Sequence, residues 1–172
     1  MIKLKNNFTK KILSFLPVTM LYISVLNDFD FNYLGLKYFS FNFAYILIFY
    51  YSLKKSRSLG YILIFIAGLF NDVIVGTPMG ITSLSYLILC GAGAYLRNIT
   101  LRPNLMQDWI FFCISILIIN SLSFLILTFI FNYQINYFDQ LVNILFTFLF
   151  YLFFVLVFSF FEKSYLGISN VR

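Results

Sequence analysis

Six long apolar segments follow one another along this chain, and the short connectors between them carry most of the charge. The basic residues keep to alternate connectors. Eleven of the twelve lysines and arginines lie before the first segment, between the second and third, between the fourth and fifth, or after the sixth, and only Lys37 lies elsewhere. Cytoplasmic loops of membrane proteins retain Lys and Arg, so this alternation predicts six crossings with both chain ends in the cytoplasm.

The composition also indicates a membrane protein. Of the 172 residues, 62% are hydrophobic and 10% are charged, whereas soluble domains carry about 25% charged residues. We place the spans at residues 12–26, 38–53, 59–75, 81–96, 110–131 and 141–161. The second span is extended back to residue 38 to approach the ~20 residues that a bilayer core requires. The predicted fold is an all-α integral membrane protein, a single transmembrane domain over residues 1–172 surrounded by lipid.

The inventory of reactive side chains argues against catalysis. The chain has no histidine, which removes His-based triads and imidazole acid–base chemistry. Cys90 and Cys113 lie on different predicted spans and match neither a zinc site nor a redox pair. A pair formed by Asp72 and Asp139 at the outer face is the remaining catalytic alternative, and acids are common at such helix ends. We expect no enzymatic activity, cofactor or metal.

The net charge of +6 does not predict nucleic-acid binding. The basic residues are divided among four cytoplasmic segments and form no continuous stripe, as expected of residues that set membrane topology. We therefore expect a membrane-embedded partner and no nucleic acid.

Asp72 lies at the outer end of the third span, directly before the turn formed by residues 76–80. An acid at this depth faces the bundle interior or water. Its carboxylate either reaches the outer headgroups or accepts hydrogen bonds from the turn, and it is also placed to fix the hairpin of spans three and four for a partner. These interpretations are compatible with one another.

Small and polar residues within the spans predict helix packing. Ala67, Gly68 and the small residues within 90–94 permit helices to approach closely. Asn120 and Ser123, one turn apart on the fifth span, share a face that can hydrogen-bond a neighbouring helix. Such bonds contribute only about 0.6–2 kcal/mol in membranes, so they indicate orientation and not transport.

The junction of the third and fourth spans carries the pattern Gly-Leu, then Asp, then Gly-x-Pro-x-Gly. The positions that carry it are Gly68, Leu69, Asp72, Gly76, Pro78 and Gly80. This stretch resembles the signature region of the rod shape-determining protein MreD family. Chain length, the basic loop after the second span and the entry into the fifth span at 103–109 are compatible with that family over nearly the full length. The connector at 27–40 departs from it in being polar and aromatic.

The resemblance implies a non-enzymatic, multi-pass component of the bacterial inner membrane that acts in cell elongation, cell shape and lateral peptidoglycan synthesis. The implied partner is an MreC-like bitopic membrane protein, which couples the MreB filament to wall-synthesis enzymes. The implied fold is similar to that of the substrate-binding components of energy-coupling-factor transporters. The six matching residues are then expected to form a structural or partner-binding motif.

The alternative function is that of the substrate-binding subunit of an energy-coupling-factor-type vitamin transporter. Such subunits also have about this size and six spans. They carry Ala-x-x-x-Ala-type motifs in the first span for docking the coupling subunit, whereas residues 12–26 contain neither alanine nor glycine. That difference favours the cell-elongation function. A membrane-embedded hydrolase or phosphatidyl transferase is a more remote alternative, because His and clustered aspartates are missing.

Overall fold

The structure is a computed structural model that describes residues 15–26, 40–54, 59–100, 104–133 and 136–166, with side chains described up to residue 161. Within these residues the chain forms six helices. In chain order they are α1 (Phe15–Leu26), α2 (Phe43–Leu53), α3 (Tyr61–Val75), α4 (Ile81–Ile99), α5 (Leu105–Leu125), which continues as a π-helical turn over Ile126–Ile130, and α6 (Tyr137–Leu166).

Two of these helices are long and apolar enough to cross a membrane. Leu105–Ile130 has 26 residues and Tyr137–Phe161 has 25. At about 1.5 Å per residue, each exceeds a hydrocarbon core of ~30 Å. The exposed side chains along the middle of α6 are all Leu or Phe: Leu141, Leu145, Leu149, Leu152, Phe153 and Leu156. The described chain is therefore all-α, and its two longest helices suit a lipid environment.

The second helix is shorter than the sequence predicted. α2 begins at Phe43, and the Asn42 side chain caps it by accepting the backbone N–H of Tyr45 at 3.1 Å. Asn is among the preferred residues at this position. Residues 40–42 are therefore not helical, and residues 38 and 39 lie outside the described residues. The 11 residues of α2 extend about 16 Å, roughly half of a bilayer core.

Three other helices extend beyond their predicted bounds. α4 continues to Ile99, and α6 runs from Tyr137 to Leu166. α5 begins at Leu105 instead of residue 110, because the Asn104 side chain accepts the backbone N–H of Met106 at 3.1 Å and starts the helix there. The last turn of α4 consequently contains Arg97, which the sequence had placed in a loop.

α2 lies at the centre of the bundle. All of its residues from Ala44 to Leu53 are buried, as expected of a helix that is apolar all round. α4 packs closely against it at Gly93, where an added Cβ would lie 2.9 Å from the Ser52 Cβ. The Ser52 hydroxyl donates to the Cys90 Sγ at 3.1 Å. The α2–α4 contact is therefore close enough to involve the backbone of α4.

Aromatic rings of α6 cover another side of α2. Phe41 and Phe43 pack on Phe150, Phe154 and Phe158, with ring centroids 4.8–6.0 Å apart. Aromatic pairs at this spacing contribute about 0.5–1.5 kcal/mol beyond the area that they bury. The α2–α6 contact thus consists mainly of large side chains, in contrast to the α2–α4 contact.

α5 joins α6 through its first half. The Phe112 ring stacks on the Tyr151 ring with centroids 4.4 Å apart. The Trp109 ring stacks on Phe148 at the same separation, and its Nε1 donates to the Phe148 carbonyl at 3.1 Å. Trp109 therefore packs between helices.

Candidate functional site

The six motif residues lie together at the junction of α3 and α4. Three of them are in the second half of α3, one ends that helix, one is in the turn, and one directly precedes α4. In chain order they are Gly68, Leu69, Asp72, Gly76, Pro78 and Gly80. The hairpin between two helices is therefore the candidate site.

Asp72 connects the two helices. It is fully buried, with 0% of its surface exposed. Its Oδ1 accepts the Thr77 hydroxyl at 2.9 Å and the Thr82 backbone N–H at 3.0 Å, and its Oδ2 accepts the Gly80 N–H at 2.7 Å. Three donors offset the cost of burying a carboxylate. The structure places the carboxylate against the turn and the start of α4, where its hydrogen bonds fix the hairpin.

The Asp72 carboxylate caps α4. Gly80 occupies the N-cap position and has no side-chain oxygen to offer. The first N–H groups of a helix have no partner within it, and Asp72 accepts two N–H groups there, from Gly80 and Thr82. The negative charge also interacts favourably with the positive end of the α4 dipole. A capping oxygen usually comes from the residue directly before the helix, whereas this one comes from the preceding helix.

Gly76 and Gly80 are required by backbone conformation. Their φ angles are +77° and +103°, in the left-handed region that residues with a Cβ adopt at a cost. Gly76 ends α3, and the N–H groups of Gly76 and Thr77 both donate to the Asp72 backbone carbonyl at 3.0 Å. No atom lies within 4 Å of a Cβ built on either glycine. Conformation, and not space, therefore limits these two positions.

Gly68 is required by close packing. A Cβ at this position would lie 2.4 Å from the Ser83 Cα on α4, a separation that backbone atoms cannot accommodate. Ala67 beside it is also fully buried, and the Ser83 hydroxyl donates to the Phe65 carbonyl of α3 at 3.0 Å. The predicted close approach of helices at Ala67 and Gly68 is therefore present between α3 and α4.

Leu69 and Pro78 have less specific surroundings. Both are half-buried. Pro78 restricts the backbone between the two left-handed glycines, and its carbonyl accepts the Ile81 N–H at 3.5 Å. Nothing in the described structure explains why residue 69 is leucine.

Sequence reasoning missed the polar partners of Asp72. Thr77 occupies a variable position of the motif, and Thr82 lies beyond it, yet both bind the carboxylate. The Thr82 hydroxyl also accepts the Asn71 side-chain amide at 3.4 Å. The available signal is a threonine two residues after the last motif glycine, where a helix N-terminus offers free N–H groups.

The outer surface of the hairpin is apolar. Val73, Ile74, Val75 and Met79 have 45–75% of their surfaces exposed, and residues 73–79 contain no charged side chain. Because Asp72 is turned inward, the tip presents an uncharged surface on a tightly fixed backbone. Such a surface suits lipid or an apolar partner.

The other candidates from the sequence do not join this site. Asp139 is exposed in the first turn of α6 and accepts the Asn136 side-chain amide at 2.8 Å, so the two aspartates have separate partners. Cys90 is buried against α2, and Cys113 lies half-buried on α5. Within the part of the chain that the structure describes, no three His, Cys, Asp or Glu side chains are placed to hold a metal ion.

No family model, no curated protein and no solved structure matches this chain. A functional proposal therefore depends on the residues of the chain and their geometry.

Proposed function

We propose that this chain is a multi-pass protein of the bacterial cytoplasmic membrane that acts, without catalysing a reaction, in cell elongation in the manner of the MreD family. The α3–α4 junction carries the proposal. Four of the six positions of the family pattern meet a physical requirement: close packing at Gly68, capping at Asp72 and left-handed backbone at Gly76 and Gly80. A pattern with this structural coherence supports a resemblance better than the same letters in an exposed loop.

In the proposed architecture all six helices form a membrane bundle with both chain ends in the cytoplasm. Arg97 near the end of α4 donates to the Ser52 carbonyl near the end of α2 at 2.7 Å. α2 and α4, which basic connectors follow in the sequence, therefore end on the same side of the bundle. This agrees with the placement of both connectors on the cytoplasmic side.

The α3–α4 hairpin serves as a rigid contact surface in this proposal. The Asp72 hydrogen bonds fix the turn, and the exposed tip at residues 73–79 is free of charge. The partner is an MreC-like bitopic membrane protein, through which the chain is coupled to the MreB filament and to wall-synthesis enzymes. The absence of histidine from the chain and the structural engagement of Asp72 support a role without catalysis.

Depletion in a rod-shaped host tests this function. We expect rounded or swollen cells and co-purification of the protein with an MreC-like bitopic partner. Asp72→Ala should reduce co-purification while membrane insertion persists, and Asp139→Ala, which changes an exposed acid, should leave it unchanged. Cells that keep their shape but require an external vitamin would replace this function with the transporter alternative.

A further inference from the structure

We infer that the second apolar segment enters the bundle as non-helical chain near the middle of the membrane, and that Asn143 and Thr147 on α6 are positioning residues that hold it there. The inference rests on the membrane architecture proposed above and is independent of a role in cell elongation.

Two hydrogen bonds connect residues 40–42, which directly precede α2, with α6. The Asn42 backbone N–H donates to the Thr147 Oγ1 at 2.8 Å, and the Asn143 Nδ2 donates to the Ser40 Oγ at 3.1 Å. The Thr147 hydroxyl in turn donates to the Asn143 carbonyl at 2.7 Å. Thr147 is 1% exposed. Its hydroxyl therefore both accepts and donates in a site closed to water.

The position of this contact along α6 gives its depth. The apolar part of α6 is Tyr137–Phe161, and Thr147 lies about 15 Å along it from Tyr137. A hydrocarbon core of ~30 Å centred on this stretch places Thr147 within about 3 Å of the midplane. α2, about 16 Å long, then accounts for only the half of the membrane on the Arg97 side.

Membrane energetics explain why α6 is polar at this level. Backbone groups outside a helix are tolerated at membrane depth only where protein satisfies them. Thr147 satisfies the Asn42 backbone N–H of the entry at residues 40–42, and Asn143 satisfies the Ser40 side-chain hydroxyl. Phe41, within the entry, is itself covered by the Phe150 ring at 4.9 Å. The polar pair therefore lies where non-helical chain meets α6, while the lipid-facing side of the helix remains Leu and Phe.

α2 contacts α4 and α6 in different ways. α2 is held to α4 through backbone-level packing at Gly93, whereas it meets α6 through side chains and these two hydrogen bonds. The contact with α6 therefore involves the side chains of that helix and not its backbone.

Depth is measured with nitroxide labels on the lipid face of α6 in phosphatidylcholine–phosphatidylglycerol vesicles. Leu145→Cys lies between the two positioning residues, and Phe138→Cys and Phe160→Cys lie near the ends; all three side chains are exposed. The native thiols are removed by Cys90→Ala and Cys113→Ala. We expect residue 145 to be the most accessible to oxygen and the least accessible to a water-soluble nickel complex.

A label at residue 145 as shallow as that at 138 would overturn the inference while leaving the membrane architecture in place. Water accessibility at all three positions would overturn the membrane architecture, and with it the proposed function.

Cross-linking tests the entry itself. In the same cysteine-free background, Ser40→Cys with Asn143→Cys should form a disulfide on oxidation, whereas Ser40→Cys with Ser159→Cys should not. Adding Thr147→Val should slow the first cross-link several-fold, because the Asn42 N–H loses its acceptor. Adding Ser159→Ala, which removes a hydroxyl bonded only within α6, should leave the rate unchanged. A folded protein without the first cross-link, or an unchanged rate in the Thr147→Val protein, would overturn the inference.

Discussion

The Arg97 guanidinium donates from Nη1 to the Ser52 backbone carbonyl across 2.7 Å, so a side chain of α4 closes the C-terminal end of α2. The last carbonyls of a helix have no partner within it, and a cation there also interacts favourably with the helix dipole. The Lys54 ammonium lies 4.7 Å from the centre of the Tyr50 ring at the same end. Two basic side chains thus stabilise the end of the central helix.

Arg97→Met should destabilise the bundle. It removes a charge-assisted hydrogen bond to the Ser52 carbonyl, and such a bond contributes about 1.5–3 kcal/mol. The thermal unfolding midpoint of the detergent-purified protein should fall. Asn98→Ala changes an exposed side chain on the same turn and serves as the control. Equal midpoints for the two variants would show that the Arg97 contact contributes nothing to stability.

Gly93→Ala and Gly91→Ala should shift stability in opposite directions. An added Cβ at Gly93 would lie 2.9 Å from the Ser52 Cβ and 3.3 Å from the Phe49 carbonyl oxygen, whereas one at Gly91 meets nothing within 4 Å. Overpacking lowers the free energy of unfolding by about 1–3 kcal/mol. Replacing an exposed glycine within a helix by alanine raises it by up to about 1 kcal/mol. Unfolding midpoints of the two proteins measure the difference. A shift of the same sign in both would contradict the close α2–α4 contact.

Asp72→Asn should loosen the α3–α4 hairpin. An amide has one acceptor oxygen, so its NH₂ group would face either the Gly80 N–H or the donors from Thr77 and Thr82. We expect a loss of about 1.5–3 kcal/mol, measured as a lower unfolding midpoint and faster proteolysis within residues 73–80. Asp139→Asn, at an exposed acid, is the matched control. Resistance to proteolysis equal to that of the unchanged protein would argue against the capping role.

Reporter fusions should reveal the proposed topology. Fusions after residues 57, 104 and 172 should report the cytoplasm, and fusions near residues 33, 77 and 136 should report the outer side, because basic residues favour one set of connectors. Signals from opposite sides at 57 and 104 would mean that α3 or α4 does not cross.

The α3–α4 hairpin was accessible to sequence reasoning because its determinants are close together in the chain. Gly76 and Gly80 indicate a turn, and the hydrogen bonds from the turn to Asp72 join residues at most ten positions apart. The start of α2 was not accessible in this way. Its position depends on the Asn42 cap and on Thr147, which lies 105 positions further along the chain.

The sequence also did not predict which face of each helix contacts which neighbouring helix. Ser123 meets the Ser85 hydroxyl of α4 at 2.9 Å, as predicted, whereas the Asn120 amide donates to the Ile116 carbonyl of its own helix at 2.8 Å. Of the two glycines at 91 and 93, one packs against α2 and the other is exposed. The rotation of each helix about its axis decides these outcomes, and it depends on contacts with every neighbour.

Because α2 is enclosed by helices that follow it in the chain, it is synthesised before the helices that cover it. The ribosome makes α2 second, but the helices that cover it, α4 and α6, emerge later. Thr147, the acceptor for the Asn42 N–H, is added 105 residues after Asn42 itself. In the proposed membrane architecture, a nascent chain that has not yet reached α6 therefore exposes the start of α2 with polar backbone still unsatisfied. Within the described chain, α6 therefore completes the covering of α2, and a chain that lacks α6 leaves the Asn42 N–H without the Thr147 acceptor.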